Sequence, residues 1–164
     1  MALVLKSEAF LDGGEIPRRC TCEGEDVSPP LAWEGLPEGT QSLVLIVDDP
    51  DAPDPAAPRM VWDHWILYNI PAALEGLPEG AASDRLPEGI GEGVNSWGRT
   101  GYGGPCPPTG RHRYFHRLYA LDLCLPAELG NPGKDDLLLA MEDHILAHAE
   151  LVGTYAKEVV RERV

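Results

Sequence analysis

The stretch PEGTQSLVLIVDDPDAP, residues 37–53, contains a run of five β-favouring residues at 43–47 that leads directly into aspartates and prolines. A short apolar run bounded by turn residues is typical of a strand that is covered on both faces. We expect this strand to stop at residues 48–50. The carboxylates that follow it belong either to a strand-ending turn or to a pocket that the prolines hold rigid.

Two later runs of aromatic and branched residues also predict strands, WDHWILYNI at 62–70 and HRYFHRLYALDLCL at 112–125, and residues 2–10 are a weaker candidate. By contrast, DDLLLAMEDHILAHAE at 135–150 repeats apolar residues at three- and four-residue steps and begins with two aspartates, which predicts a helix. Gly153 is a plausible stop, with a short helix after it. Strands followed by a helix indicate a mainly β domain with a helical C-terminal part.

Charge and composition restrict the classes of function. The 164 residues carry 13 basic and 27 acidic side chains, for a net charge of −14, which disfavours nucleic acid and anionic membranes as partners. No apolar run is long enough for a transmembrane segment and the N-terminus does not read as a signal peptide, so we expect one soluble, cytoplasmic domain over residues 1–164. The repeated Leu-Pro-Glu-Gly motifs at 36–39, 77–80 and 86–89 are interpreted as turns.

The cysteines and paired histidines give no metal motif. Cys20 and Cys22 form CxC rather than CxxC, and no second close pair completes a zinc set. In a cytoplasmic protein we expect free thiols, although a contact between Cys22 and Cys106 is conceivable if their loops converge. His144 and His148 lack the glutamate of a zinc-binding helix and are interpreted as solvated helix positions. We therefore expect neither a metal nor another cofactor.

Two further windows concentrate polar chemistry. In WDHW, residues 62–65, strand alternation places His64 on the face of Trp62 and Ile66, where a histidine is usually a core residue. In GGPCPPTG, residues 103–110, glycines permit unusual backbone angles and prolines stiffen the loop, so its amides can face an anion. Each window alone also has an ordinary structural explanation.

Together these windows resemble the phosphatidylethanolamine-binding protein family (the Raf kinase inhibitor protein-like group), especially its bacterial and archaeal branch. The resemblance lies in DPDAP at 49–53, a histidine eleven residues after its last proline, and GGPCPPTGRHRY at 103–114. The stretches at 22–33, 64–71 and 113–122 support it, and it extends over nearly the whole chain.

The resemblance implies a Greek-key antiparallel β-sandwich with C-terminal α-helices. It also implies a cis peptide bond before Pro53 and a small surface pocket for phosphate-type anions and phosphoethanolamine headgroups. Carried over by position, the ligand-binding residues are Asp49, Pro53, His64, Gly104, Pro105, His112 and Tyr114. By its chemistry, either Asp49 or Asp51 would suit the ammonium of an ethanolamine group. The segment between Pro53 and Trp62 departs from eukaryotic members, and its Arg59 is a candidate anion contact.

These residues suggest how an acidic protein holds an anion. An imidazolium beside a carboxylate is favoured in its charged form, so Asp49 is expected to keep His64 or His112 protonated. Two imidazole N–H donors, loop amides and the Tyr114 hydroxyl would then face the phosphoryl oxygens. The leading hypothesis is a module that binds a small phosphorylated or anionic ligand without turnover.

Two other function classes stay open. The chain is alternatively an inhibitor of a kinase or peptidase partner, as relatives are described. A second alternative is a hydrolase in which Asp49 and a histidine act as general base, with Cys106 beside His112 as a conceivable nucleophile. We also expect a homodimer, since similar prokaryotic proteins pair.

Overall fold

The computed structural model describes residues 2–81 and 86–157. This part of the chain contains eight strands, two short 3-10 helices and one α-helix. The strands are β1 (Val4–Lys6), β2 (Leu31–Glu34), β3 (Ser42–Ala52), β4 (Met60–Pro71), β5 (Gly76–Leu77), β6 (Gly91–Glu92), β7 (His112–Leu121) and β8 (Ile145–Tyr155). The α-helix, α1, spans Lys134–Met141, and the 3-10 helices span Arg18–Cys20 and Ala127–Leu129.

The strands form two antiparallel sheets that face each other, as expected of a β-sandwich. The smaller sheet has the order β1-β2-β5 and the larger one the order β6-β4-β3-β7-β8. The main core lies between them, where Leu5 and Trp33 of the smaller sheet join Leu45, Trp65 and Leu118 of the larger one in a single buried cluster. The mainly β prediction is confirmed, while the Greek-key connectivity stays a prediction.

The second face of the larger sheet is covered in part by α1. Leu137 and Met141 of the helix are fully buried and pack against Val44, Ile46 and Ile66 of the central strands. β3 is therefore covered on both faces, which is why its sequence shows an unbroken apolar run instead of an alternation.

The predicted helix over residues 135–150 is wrong in its second half. α1 ends at Met141, Asp143 adopts a positive φ of 68°, and β8 then runs antiparallel to β7 from Ile145 to Tyr155. The segment also alternates with a period of two, which is typical of a strand. β8 supplies hydrogen bonds to an edge of β7 that would otherwise be unpaired. This pairing between strands prevails over the local helix propensity of the segment.

Two other predictions on this part of the chain need correction. Gly153 does not end a helix but lies within β8, opposite Tyr114. Any helix after it falls on residues 158–164, outside the described residues. The central strand is also longer than predicted, because β3 continues through the aspartates to Ala52 with register shifts around Pro50. The proline-glycine motifs do form turns, with φ of 92° at Gly39 and 97° at Gly89.

Candidate functional site

A cavity of about 390 Å³ opens at the end of the larger sheet where β3, β4 and β7 meet. Its lining consists of a polar group and an apolar group of side chains. The polar group is Asp49, His64, His112 and Tyr114. The apolar group, with the disulfide-bonded Cys106, is Ala52, Pro53, Met60, Trp62, Trp97, Cys106, Pro107 and Pro108. Three stretches that are distant in sequence therefore meet at one place.

A β-bulge in β4 aims His64 into this cavity. Val47 pairs with Trp65, but the next residue of β3, Asp48, pairs with Asp63, so His64 is one extra residue in its strand. A bulge of this kind turns neighbouring side chains to the same face. The prediction that His64 shares its face with Ile66 is therefore wrong: Trp65 lies in the main core and Ile66 in the cluster under α1.

Asp49 and His112 form a buried pair that is satisfied within the protein. Nδ1 of His112 lies 2.6 Å from Oδ2 of Asp49, and Nε2 of His112 lies 2.8 Å from the carbonyl oxygen of Thr109. The other carboxylate oxygen accepts the amide of Asp51 at 2.7 Å. A carbonyl only accepts, so Nε2 donates to Thr109. Both ring nitrogens and both carboxylate oxygens therefore have partners within the protein.

This pairing changes the expected role of His112. Asp49 does lie beside an imidazole, as the sequence suggested, but both ring nitrogens of His112 bond to protein acceptors. His112 consequently has no free N–H for a ligand in this structure.

His64 presents its second nitrogen to the cavity. Its Nδ1 donates a hydrogen bond to the Gly103 carbonyl at 2.7 Å, and its ring packs edge-on against Trp97 and Tyr114. Among the described residues nothing bonds to Nε2. Burial lowers the pKa of His64 below that of an exposed histidine, although the Gly103 carbonyl and then the Asp49 carboxylate act in the opposite direction. The ring is therefore neutral at neutral pH, with Nε2 as an acceptor.

Tyr114 carries a buried hydroxyl without a partner. The side chain is 1% exposed, and its oxygen has no hydrogen bond within the described part of the chain. Burial, followed by the negative charge of Asp49, raises the pKa of this phenol far above its usual range, so it stays protonated. A buried polar atom without a partner is rare and costs on the order of 1–3 kcal/mol. The hydroxyl thus retains unused hydrogen-bonding capacity at the wall of the cavity.

Two further candidate residues from the sequence, Asp51 and Arg59, lie outside the cavity lining. Asp51 is engaged by Arg113, whose Nη2 lies 2.9 Å from Oδ1 and whose amide lies 2.9 Å from Oδ2. This contact, first through its hydrogen bond, lowers the pKa of Asp51. Asp51 is therefore a structural ion-pair partner instead of a free carboxylate for an ammonium group. Arg59 is exposed and does not line the cavity either.

The loop at 103–105 has a packing role that the resemblance did not reveal. The amide of Gly104 donates to Oδ1 of Asp26 at 2.8 Å, and the Pro105 carbonyl accepts the amide of Cys22 at 3.1 Å. A Cβ on Gly104 would lie 2.2 Å from the Cys20 carbonyl oxygen, so only glycine fits this approach. Gly104 and Pro105 support the cavity from behind.

The apolar rim is the part that sequence reasoning missed. Met60 and Trp97 are 46% and 41% exposed, and the rings of Trp62 and Trp97 pack edge to face with centroids 5.5 Å apart. Trp62 was a recognisable signal, because it shares the pocket-facing side of β4 with His64. Trp97 gives no such signal, since it comes from an irregular loop that only the fold brings to β4.

A disulfide ties the cavity wall to the N-terminal part of the chain. Cys22 and Cys106 are bonded, with Cα atoms 5.4 Å apart, so the expectation of free thiols is wrong for this pair. Cys106 is consequently no nucleophile while the bond is intact. Cys20 and Cys124 are free, and burial raises the pKa of Cys20 to about 11.

The remaining histidines do not build a second polar site. His144 lies just before β8 and bonds to Asp122 at 2.8 Å, and His148 lies on β8 beside the ring of Tyr119, so neither is a helix position. His116 is buried beneath Phe10. Within residues 2–81 and 86–157 no group of three or more metal-ligating side chains comes together. Over the same residues, none of the helices combines the length and apolarity that crossing a bilayer requires.

Comparison with known proteins gives a consistent result. A sequence model of the family described as phosphatidylethanolamine-binding protein matches residues 6–156. The UPF0098 protein of Methanothermobacter thermautotrophicus is 52% identical over 154 residues, covering 93% of this chain and 98% of the relative. The UPF0098 protein of Chlamydia pneumoniae is 46% identical over 153 residues, covering 93% and 98%.

Two crystal structures share the fold. A phosphatidylethanolamine-binding protein homologue from Chlamydia trachomatis superposes with a TM-score of 0.87 at 43% identity, covering 96% of this chain and 99% of that one. YbcL of E. coli, described as a new member of the mammalian phosphatidylethanolamine-binding protein family, superposes with a TM-score of 0.85 at 32% identity. The match covers 96% of this chain and 100% of YbcL.

Proposed function

The chain belongs to the phosphatidylethanolamine-binding protein family, and from that premise we propose that its cavity binds a small oxyanion, either free or as a phosphoryl headgroup. The contacts would come from His64 and Tyr114, with the Asp49–His112 pair holding the polar end of the cavity rigid. No residue is assigned a catalytic role.

One observation carries the proposal: the Tyr114 hydroxyl is buried and has no hydrogen-bond partner among the described residues, and its side chain lines the cavity together with His64, the two ring centroids being 5.2 Å apart. A buried hydroxyl is destabilising unless something fills its hydrogen-bonding capacity. An oxygen atom of a phosphate or carboxylate that reaches the Tyr114 hydroxyl from the cavity would accept its hydrogen bond. The volume, about 390 Å³, suits a small ligand or headgroup.

The apolar rim supports a ligand that has more than an anionic end. Trp62, Trp97 and Met60 surround the opening, so a headgroup that carries an alkyl or ammonium extension would contact them after its anion is bound. The experiment therefore compares free phosphate with a phosphorylated headgroup.

NMR titration with phosphate, phosphoethanolamine and acetate tests this function. We expect saturable shifts of the His64 and His112 ring signals. Tighter binding of phosphoethanolamine than of phosphate would identify the headgroup as the better ligand. His64→Ala should abolish the phosphate-induced shifts at His112, whereas His148→Ala, on the exposed side of β8, should preserve them. Unchanged shifts at His112 in the first variant would remove His64 from the site, and no saturable shift with any of the three anions would reject the function.

The geometry gives less support to the alternatives. A general base needs a free nitrogen, and both nitrogens of His112 are bonded, so the Asp49–His112 pair does not supply one. Nε2 of His64 is free within the described part of the chain, but Cys106, the cysteine of the described cavity lining, is part of a disulfide and offers no thiol nucleophile beside it. The role of an inhibitor of a kinase or peptidase, and the homodimer, stay predictions.

A further inference from the structure

We infer that the cavity binds its oxyanion together with one proton, which lies between an anion oxygen and Nε2 of His64. The inference rests on the proposed function and specifies its ligand: a monoprotonated oxyanion, or a fully charged one that takes up a proton as it binds. His64 would thus determine which ionisation state the site accepts.

The orientation of His64 is the first step. Because the Gly103 carbonyl can only accept, the hydrogen of a neutral His64 ring is on Nδ1. Nε2 then presents a lone pair to the cavity, which repels an oxygen that is also only an acceptor. A proton between the two atoms converts this repulsion into a charge-assisted hydrogen bond.

The lack of another cation in the lining is the second step. No lysine or arginine lines the cavity in the described residues, and the ring of His112 is bonded to Asp49 and Thr109. Arg113 is bound to Asp51, and Arg99 lies over the ring of Trp97, 5.8 Å from its centroid, without lining the cavity. An anion that entered without a proton would therefore meet no compensating charge among the lining side chains.

The charges around His64 allow this proton uptake. Asp49 and Asp48 come from β3 and Asp63 from β4, and all three carboxylates favour a protonated ring. From β7, His112 and Tyr114 contact the site and His116 lies nearby, while the loops contribute the Gly103 carbonyl and Trp97. Burial keeps the free ring neutral, so a bound anion supplies the additional stabilisation that the charged form needs.

Sulfate is a suitable probe because it keeps its two charges across the neutral pH range, so any proton taken up must come to the protein. Titration calorimetry in two buffers of different ionisation enthalpy counts that proton. We expect close to one proton per sulfate, and an affinity that rises as the pH falls from about 8 to about 6, by up to about tenfold per pH unit.

His64→Gln is the matching variant, since its amide offers an N–H donor that does not titrate. We expect its sulfate affinity to be nearly independent of pH, whereas His148→Gln should keep the wild-type dependence. Nitrogen NMR of the wild-type ring gives a check that does not depend on the folding of a variant: the Nε2 signal should change from the unprotonated to the protonated type when sulfate is added.

The outcomes separate the two proposals. Sulfate that binds at His64 with equal affinity at both ends of the pH range and without proton uptake overturns the inference and leaves the proposed function intact. If neither sulfate nor phosphate binds at any pH, the proposed function fails and the inference fails with it.

Discussion

Tyr114 and His64 each contribute a polar atom to the cavity that has no partner among the described residues. The other polar atoms around them are satisfied: Asp49 accepts from two donors, and His112 donates to two acceptors. A satisfied pair of this kind holds its side chains in one orientation, whereas an unsatisfied atom retains its hydrogen-bonding capacity for a ligand. At the scale of single residues, the site therefore divides into a positioning pair and a contacting pair.

Tyr114→Phe tests this division. Removing a hydroxyl that has no partner should leave the free energy of unfolding unchanged or raise it by up to about 1 kcal/mol, while anion affinity falls about five- to tenfold. Tyr68→Phe is the matched control, because that hydroxyl donates to the Gly130 carbonyl at 2.5 Å and its loss should destabilise the protein without changing affinity. Urea unfolding and NMR titration measure the two quantities. A clear loss of stability in Tyr114→Phe would mean that its hydroxyl already has a partner.

At the scale of the elements, β3 distributes the carboxylates that the sequence presents as one cluster. Its alternation sends Asp48 to the α1 side, where Arg117 lies 3.2 Å and Lys134 3.5 Å away, and sends Asp49 to the cavity. The bulge in β4 then brings His64 to the cavity side as well. The segment itself was predictable from the sequence, but this division was not, because it depends on strand pairing and register.

The cavity-wall loop gives a prediction at the same scale. Cys106 is bonded to Cys22, and the carbonyl oxygen of Thr109 in the same loop accepts a hydrogen bond from Nε2 of His112. Replacing both cysteines by serine, or reducing the bond with a dithiol, should lower the free energy of unfolding by about 3 kcal/mol and weaken anion binding, because the loop and His112 lose their anchor.

Thermal unfolding and anion titration with and without dithiothreitol measure these effects. Cys124→Ser is the control, since that thiol is free and exposed, and it should change neither quantity. Equal anion affinity in the oxidised and reduced protein would show that the disulfide stabilises the chain without shaping the cavity.

At the scale of the whole molecule, burial of histidines makes stability depend on pH. His116 is 1% exposed, and its Nδ1 lies 3.1 Å from the Tyr114 carbonyl and 3.2 Å from the Leu151 carbonyl. Burial lowers the pKa of His116 to about 4. At pH values between about 4 and the pKa of an exposed histidine, His116 therefore binds a proton in the unfolded chain but not in the folded chain.

We accordingly predict that the free energy of unfolding falls as the pH is lowered from about 6.5 to about 4, by roughly 3 kcal/mol from His116. His64, whose pKa is also lowered, acts in the same direction. His116→Asn keeps an N–H donor for the two carbonyls and does not titrate, so its stability should be lower at neutral pH but less dependent on pH in this range. Denaturant unfolding at several pH values gives the slopes, and equal slopes in both proteins would contradict the assignment.

Local patterns in the chain were sufficient for the three long central strands and for the turns at the repeated proline-glycine motifs. Motif resemblance was sufficient for the four polar side chains of the described cavity lining. Those features depend on residue spacing within a short segment. Only the folded molecule decided four other features. They are the strand conformation of residues 145–155, the position of Trp97 at the rim, the Cys22–Cys106 bond and the hydrogen-bond partners of His112. Each of these depends on which distant segment fills an open strand edge or reaches an unpaired atom, and such pairing is set by packing between segments far apart in the chain.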